Sequence, residues 1–312
     1  MFSYNFFQEY KRSSFIAFSL VIYFALFALS PIYHLSLENL FYSNQIDLRL
    51  IVMFLLAEPH FAMTLPLLYG YKKNFTDRPL SYALIPLLII LFGTLLFFQF
   101  NSLFLILFLL ANIYHVNRQS VGFFMLQGRL PFVMKNFYEV SLHIFTLTCL
   151  YFAMVLQHHS IITGLVILSI ATIAMLSLFK IKIGSFPNIK QISVIMQGYL
   201  IFLPIVIFSD ILLAFAVGIS IHYLQYLSIS WRICKLGFLF SMKIVLFFLI
   251  FYSILSTAAL SGFFTLERIS IFVLIPTMMQ LLHFYYDSLI WRRKDGGELI
   301  SSTLVKALWF EP

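Results

Sequence analysis

Residues 80–100 read LSYALIPLLIILFGTLLFFQF, and residues 102–127 read SLFLILFLLANIYHVNRQSVGFFMLQ. The first run has no charged residue, and at about 1.5 Å of rise per residue its length matches the roughly 30 Å hydrocarbon layer of a bilayer. Lipid offers the backbone no hydrogen bonds, so such a run must satisfy its peptide groups internally, as an α-helix. The second run is also long and apolar but adds two ionisable side chains, His115 in its middle and Arg118 one turn on.

Outward from this pair the same reading continues. The chain has 312 residues, 62% hydrophobic and 10% charged, which excludes an ordinary soluble globular domain. The expectation is a single all-α integral-membrane domain over 1–312, a polytopic transmembrane helical bundle of about ten spans. The spans fall near 14–35, 48–71, 80–100, 102–127, 136–157, 160–180, 191–209, 211–233, 239–261 and 267–291. Charged or turn-forming stretches separate most of them: KKNFTDRP at 72–79, LQGRLPFVMK at 126–135 and KIKIGSFPNIK at 180–190. The breaks at Phe100-Asn101 and Ser209-Asp210 demand very tight connections.

Basic residues test this count, because short cytoplasmic loops collect Lys and Arg. Lys11, Arg12, Lys72, Lys73, Arg78, Arg129, Lys135, Lys180, Lys182, Lys190, Arg232, Lys235, Lys243, Arg292, Arg293 and Lys294 all fall on one face of a ten-span arrangement. Glu38, Asp47, Asp210 and Glu267 fall on the other, with only Arg49 and Arg268 as basic company. Both termini are then cytoplasmic. The formal net charge of +8 is accounted for by topology, so no nucleic-acid partner is expected. The N-terminus lacks the early basic region and cleavage site of a removable signal, and the segment 302–310, STLVKALWF, reads as a piece lying along the membrane surface. Cys149 and Cys234 form no CxxC and imply neither disulfide nor zinc motif.

Four spans each carry one histidine: His60, His115, His222 and His283. Their spans run in the same direction, so the offsets of 12, 13, 11 and 16 residues from Leu48, Ser102, Ile211 and Glu267 measure depth directly, and they agree within about two turns. An ionisable group at that depth must pair, line a wet cavity or bind a metal. A single such histidine is most often an interhelical hydrogen-bonding residue. Four at one level read as one metal site. Polar companions stand at helical spacing: Arg118 and Gln119 after His115, Gln225 and Tyr226 after His222, Asp287 after His283, and Glu58 beside Pro59 before His60. Metal-bound imidazole usually donates its second N–H to such a group. Glu139 and His143, four apart on the fifth span, are candidates for a second metal or for orienting the first; a helix-stabilising pair is the plain alternative.

Imidazoles with carboxylates suit iron, zinc, copper or manganese. Catalysis on a lipid-soluble substrate within the bilayer favours iron, one or two ions, because unreactive C–H or C=C bonds need O2 activation. Haem is a further option, although two haems would need two depth levels and the histidines offer one.

Pro59-His60 in an early span, followed by single intramembrane histidines, resembles the microbial membrane-bound β-carotene dioxygenases that form retinal. HYLQYLSISWR at 222–232 and HFYYDSLIWRR at 283–293 also resemble motifs of uncharacterised bacterial polytopic membrane proteins. The resemblance covers short segments, with Phe61-Ala62-Met63 standing where that family shows Gly and then Asp. It implies four histidines holding one iron, and a multi-pass protein of the bacterial inner (plasma) membrane. The HxxxH and HxxHH boxes of membrane desaturases are absent, and His158-His159 does not replace them.

The leading expectation is therefore a histidine-ligated non-haem iron oxygenase, a dioxygenase or hydroxylase, acting with O2 on a carotenoid, isoprenoid or fatty-acyl chain. His60, His115, His222 and His283 would bind metal. Glu58, Arg118 and Asp287 would serve the chemistry, with Arg118 able to hold an anionic substrate end. The alternative is a proton- or ion-coupled transporter using the same intramembrane His, Glu, Asp and Arg residues, a reading lowered by sparse Gly and no evident repeat.

Overall fold

The computed structural model describes residues 20–26, 28, 51–70, 76–126, 132–237, 242–265 and 271–290. Both termini, the surface segment proposed at 302–310 and most of the first expected span lie outside them. The described residues are all-helical, without strands. Four helices, Leu80–Gln99, Val133–Val155, Ile161–Ile183 and Leu213–Trp231, are long and apolar enough to cross a membrane.

The principal helices are α1 (Glu58–Ala62), α2 (Thr64–Gly70), α3 (Ile85–Gln99), α4 (Asn101–Leu126), α5 (Phe132–Leu150), α6 (Ile161–Ile183), α7 (Ile189–Leu200), α8 (Pro204–Ile207), α9 (Ile211–Gly237), α10 (Met242–Thr265) and α11 (Ile271–Ile290). Single π-helical turns, Met53–Ala57, Leu80–Leu84 and Tyr151–Val155, precede α1 and α3 and follow α5. The chain divides into two compact units. The first comprises Met1–Val52 and Ile113–His222, the second Met53–Asn112 and Tyr223–Pro312. The divisions fall at the start of the first π turn and inside α4 and α9.

In the first unit α6, α7 and α8 all pack against α5. Only Gly164, Leu168, Met175 and Phe179 of α6 are buried, a narrow stripe at helical spacing. The rest of α6 exposes apolar side chains such as Ile162, Ile170 and Ile173, which suits lipid and not water. Gly184, in the left-handed conformation, ends α6, and Lys180 and Lys182 sit in its last turn against the carbonyl end of the helix dipole. An Asn188/Gln191 capping box then opens α7.

The expected span 191–209 is not one continuous helix. Pro204 has no N–H for the Leu200 carbonyl, and a tight turn over 201–203 separates α7 from α8. Phe208 is extended, and Asp210 caps the next helix by accepting from the Leu213 N–H at 3.0 Å. At Phe100 a single residue outside helical geometry separates α3 from α4.

Close approach in this unit is made by glycines. A Cβ on Gly218 would overlap the Ile201 backbone carbonyl, and one on Gly198 would overlap the Tyr138 hydroxyl, which donates to Val194 and Ile195 carbonyls at 3.3 Å. Tyr138, Leu142 and Phe145 on α5 pack into the core with Tyr199 on α7, and the Tyr199 hydroxyl meets that of Ser141.

In the second unit α11 packs against α1, α2, α3 and α10, while α10 also covers α1 and the preceding π turn. Phe97, Phe104 and Met278 form an apolar cluster at the junction of α3, α4 and α11. Pro86 explains a pair of hydrogen bonds nearby. The π turn bonds the Ile85 N–H to the Leu80 carbonyl, five residues back, and Pro86 has no N–H to continue either a π or an α ladder. Tyr285 donates to the Ser81 carbonyl at 2.8 Å and Tyr286 to the Tyr82 carbonyl at 2.9 Å. Two phenols of α11 thus donate to carbonyls in the stretch where Pro86 withholds a backbone donor. Tyr286→Phe is expected to lower stability by about 1 kcal/mol, between the ~0.6 typical of interhelical bonds in membranes and the upper range for an orphaned buried carbonyl. Thermal unfolding in detergent would show it, and an unchanged midpoint would refute this account of Pro86.

Candidate metal centre

The π turn Met53–Ala57 runs directly into Glu58, Pro59 and His60. Such single-turn departures from α geometry recur at functional sites, and here one leads into two wholly buried polar side chains, Glu58 and His60. In the second unit His60 on α1 and His283 on α11 stack edge to face, with ring centroids 4.4 Å apart. A ring nitrogen of each lies within 4.8 Å of the other. Two nitrogens bonded to one ion at about 2.1 Å stand at most ~4.2 Å apart, so the pair fits a shared ion with little or no ring movement.

Around this pair the side chains are aromatic or hydroxylic. The ring of Tyr226 lies 4.3 Å from His60, that of Tyr223 4.9 Å, and that of Phe61 5.1 Å. Thr64 Oγ1 is 2.6 Å from His283 Nδ1 and 3.3 Å from the Tyr226 hydroxyl. Tyr226 donates to Asp287 Oδ1 at 2.8 Å. Asp287 Oδ2 stands 3.7 Å from His283 Nε2, one helical turn away on α11 and too far for a hydrogen bond. Thr64, Tyr226, His283 and Asp287 are all buried. A dry interior makes an incomplete polar network costly, so a chain this well connected is what a fixed imidazole requires.

Glu58 faces another way. The hydroxyls of Tyr252 and Ser256 on α10 are the groups that act on its carboxylate. Among the described residues, however, neither carboxylate oxygen has a donor at hydrogen-bonding distance and angle. Glu58 also acts electrostatically on Tyr223, the residue whose ring packs on His60.

In the first unit His115 on α4 and His222 on α9 also meet edge to face, at 5.5 Å and 87°. Both are buried. Close by in sequence, Asn117 donates to Thr146 at 3.4 Å, and Thr146 in turn donates to the Leu142 carbonyl. Arg118 forms an ion pair with Glu139 at 2.7 Å, with 44% and 22% of the two side chains exposed. His143 shares a 2.7 Å hydrogen bond with the Glu139 backbone carbonyl through Nδ1, so Arg118, Glu139 and His143 are engaged with one another. Gln119 is half-buried; Gln225, which belongs to the second unit, is buried. His158 stays at the surface, bonded to Thr163 in the first turn of α6.

Of the residues singled out from sequence, His60, His283, Tyr226 and Asp287 come together in one unit, and His115 and His222 in the other. Sequence reading missed Thr64, although it stands four residues after His60, the same spacing that exposed Asp287 after His283. It also missed Tyr223, Tyr252 and Ser256, whose partners His60 and Glu58 lie on another helix. No protein-family model matches the chain, and no characterised protein or solved structure matches it significantly.

Proposed function

We propose that this is an integral-membrane, histidine-ligated iron enzyme, an oxygenase acting with O2 on a hydrophobic substrate such as a carotenoid, isoprenoid or fatty-acyl chain. The observation that carries the reading is the buried His60–His283 pair, ordered at one imidazole by Thr64, Tyr226 and Asp287. His60 and His283 are buried together in one unit and could share a metal ion. His115 and His222 join them on the equal depths that the sequence gives all four.

In this reading about ten spans, with both termini cytoplasmic, place the site near the middle of a bacterial inner membrane. The four helices apolar enough to span support a membrane location. A substrate dissolved in lipid reaches such a depth without leaving the hydrocarbon. Neutral imidazole is the ligand form, and burial among aromatic rings favours it by excluding water. Iron held there supplies O2 activation against C–H or C=C bonds. The protein holds the ligands in place: Thr64 and Asp287 fix His283, Tyr223 and Phe61 pack His60, and Glu58 keeps a carboxylate two residues before His60.

The test is metal content by mass spectrometry on protein purified in mild detergent, with and without oxygen, beside His60→Ala and His283→Ala. One or two iron ions per chain are expected in the wild type, falling to background in both variants while each still elutes as folded protein. Metal-free wild type, or metal unchanged in the folded variants, would sink the reading and favour ion-coupled transport through the same buried charges.

A further inference from the structure

The hydrogen bonds around His283 form a chain with a direction. Asp287 as a carboxylate can only accept, so the Tyr226 O–H at 2.8 Å from Oδ1 must donate. The phenol oxygen is then left with acceptor capacity only. Thr64 Oγ1, at 3.3 Å, can donate its single proton to it. The 2.6 Å contact to His283 Nδ1 admits either direction; with the Thr64 proton given to the phenol, Thr64 Oγ1 accepts there and Nδ1 carries the hydrogen.

We infer that Thr64 and Tyr226 are positioning residues that carry the charge of Asp287 around the imidazole and hold His283 as its Nδ1–H tautomer. Nε2, with its lone pair, is then the nitrogen presented for metal. This last consequence rests on the proposed metal site; the tautomer itself does not. The arrangement differs from a direct carboxylate–histidine bond, in which Asp287 would accept from Nε2–H and block that nitrogen. The 3.7 Å separation between Oδ2 and Nε2 already exceeds a hydrogen bond. Two intervening hydroxyls let one carboxylate orient a ring from its far side.

The readout is the tautomer of His283 in the metal-free full-length protein. It is measured by nitrogen NMR on 15N-histidine-labelled material in lipid, with the His283 signals assigned by their loss in His283→Gln. Wild type is expected to show the Nδ1–H form. Thr64→Val removes the acceptor and Tyr226→Phe releases the Thr64 proton toward Nδ1, so both variants should move to Nε2–H, now donated toward Asp287. Thr64→Ser keeps the relay and should restore the wild-type form. Binding of Fe2+ alone should weaken about 10–100-fold in Thr64→Val and Tyr226→Phe and recover in Thr64→Ser.

Nε2–H in the wild type, or Nδ1–H in both relay variants, overturns the inference. If Thr64→Val does not fold, Tyr226→Phe carries the same decision. Wild type that binds no Fe2+ yet shows the Nδ1–H form, shifted in the variants, overturns the metal site and leaves the relay standing.

Discussion

Gly218→Ala is expected to leave little folded protein. A Cβ at this position would lie inside the van der Waals shell of the Ile201 carbonyl oxygen and press on its carbon, with Pro204 next in line. Backbone atoms cannot rotate away as a side chain can, so relief requires α9 to move off the 201–203 turn. Overpacking a well-filled interior typically costs about 1–3 kcal/mol, and a contact with fixed backbone belongs at or above the top of that range. His222 stands one turn beyond Gly218 on the same helix, so the displacement would carry its imbalance to the His115–His222 contact. Gly198→Ala provides the control. Its new methyl would meet chiefly the Tyr138 hydroxyl, the far end of a side chain, and Tyr138→Phe should recover part of the loss. Fluorescence-detected size exclusion and thermal unfolding in detergent measure both. A Gly218→Ala protein that melts with the wild type would disprove the close approach.

Asp287→Asn should fold and fail to hold metal. The amide oxygen still accepts from Tyr226, so the shape and the 2.8 Å bond survive. What changes is the other atom, which becomes an N–H2 donor aimed toward His283 Nε2, and the loss of the negative charge that orders the relay. Both changes turn Nε2 from a ligand into an acceptor engaged with protein. Metal affinity should fall by the upper part of the roughly 10–100-fold range for altered ligand orientation, or beyond it. Asp287→Ala should be worse in stability, because it leaves the buried Tyr226 hydroxyl without an acceptor, at about 1–3 kcal/mol. Iron content and melting temperature measured together separate the two effects. Full metal occupancy in Asp287→Asn would remove Asp287 from the site.

Hydropathy was sufficient to place most of the described helices. Residues 80–100 were read as one run and fold as a π turn continued by α3; Ile211 begins α9 where Asp210 was read as a break; Ser160 caps α6 at the expected boundary. Apolar length is a coarse property, and it survives small errors in register. The histidines were legible for a similar reason, since a titratable side chain inside an apolar run stands out whatever its rotamer. The break at Pro204 was harder to see, because Leu200, Ile201, Phe202 and Leu203 are apolar and continue the hydropathy while the ladder fails. Thr64, Tyr223 and Gly218 act through single contacts between distant parts of the chain, and nothing in their immediate neighbours announces those partners. Arg118, a candidate for holding a substrate anion, pairs with Glu139 on another helix, a contact that sequence spacing does not reveal.

The π turn at Met53–Ala57 has a consequence in the arithmetic of the helix wheel. A turn closed five residues back holds one residue more than an α turn, and one residue is worth about 100° of rotation. Ile51 and Val52 are therefore out of phase with His60 compared with an unbroken α-helix, and Val52 is buried while Ile51 is not. Deleting one residue from 53–57 would let the segment close as regular α-helix without disturbing Glu58, Pro59 or His60. Deleting one between His60 and Thr64 would turn the hydroxyl off the histidine's face. Length variation among relatives of this chain should accordingly be tolerated on the first side of Glu58 and forbidden on the second.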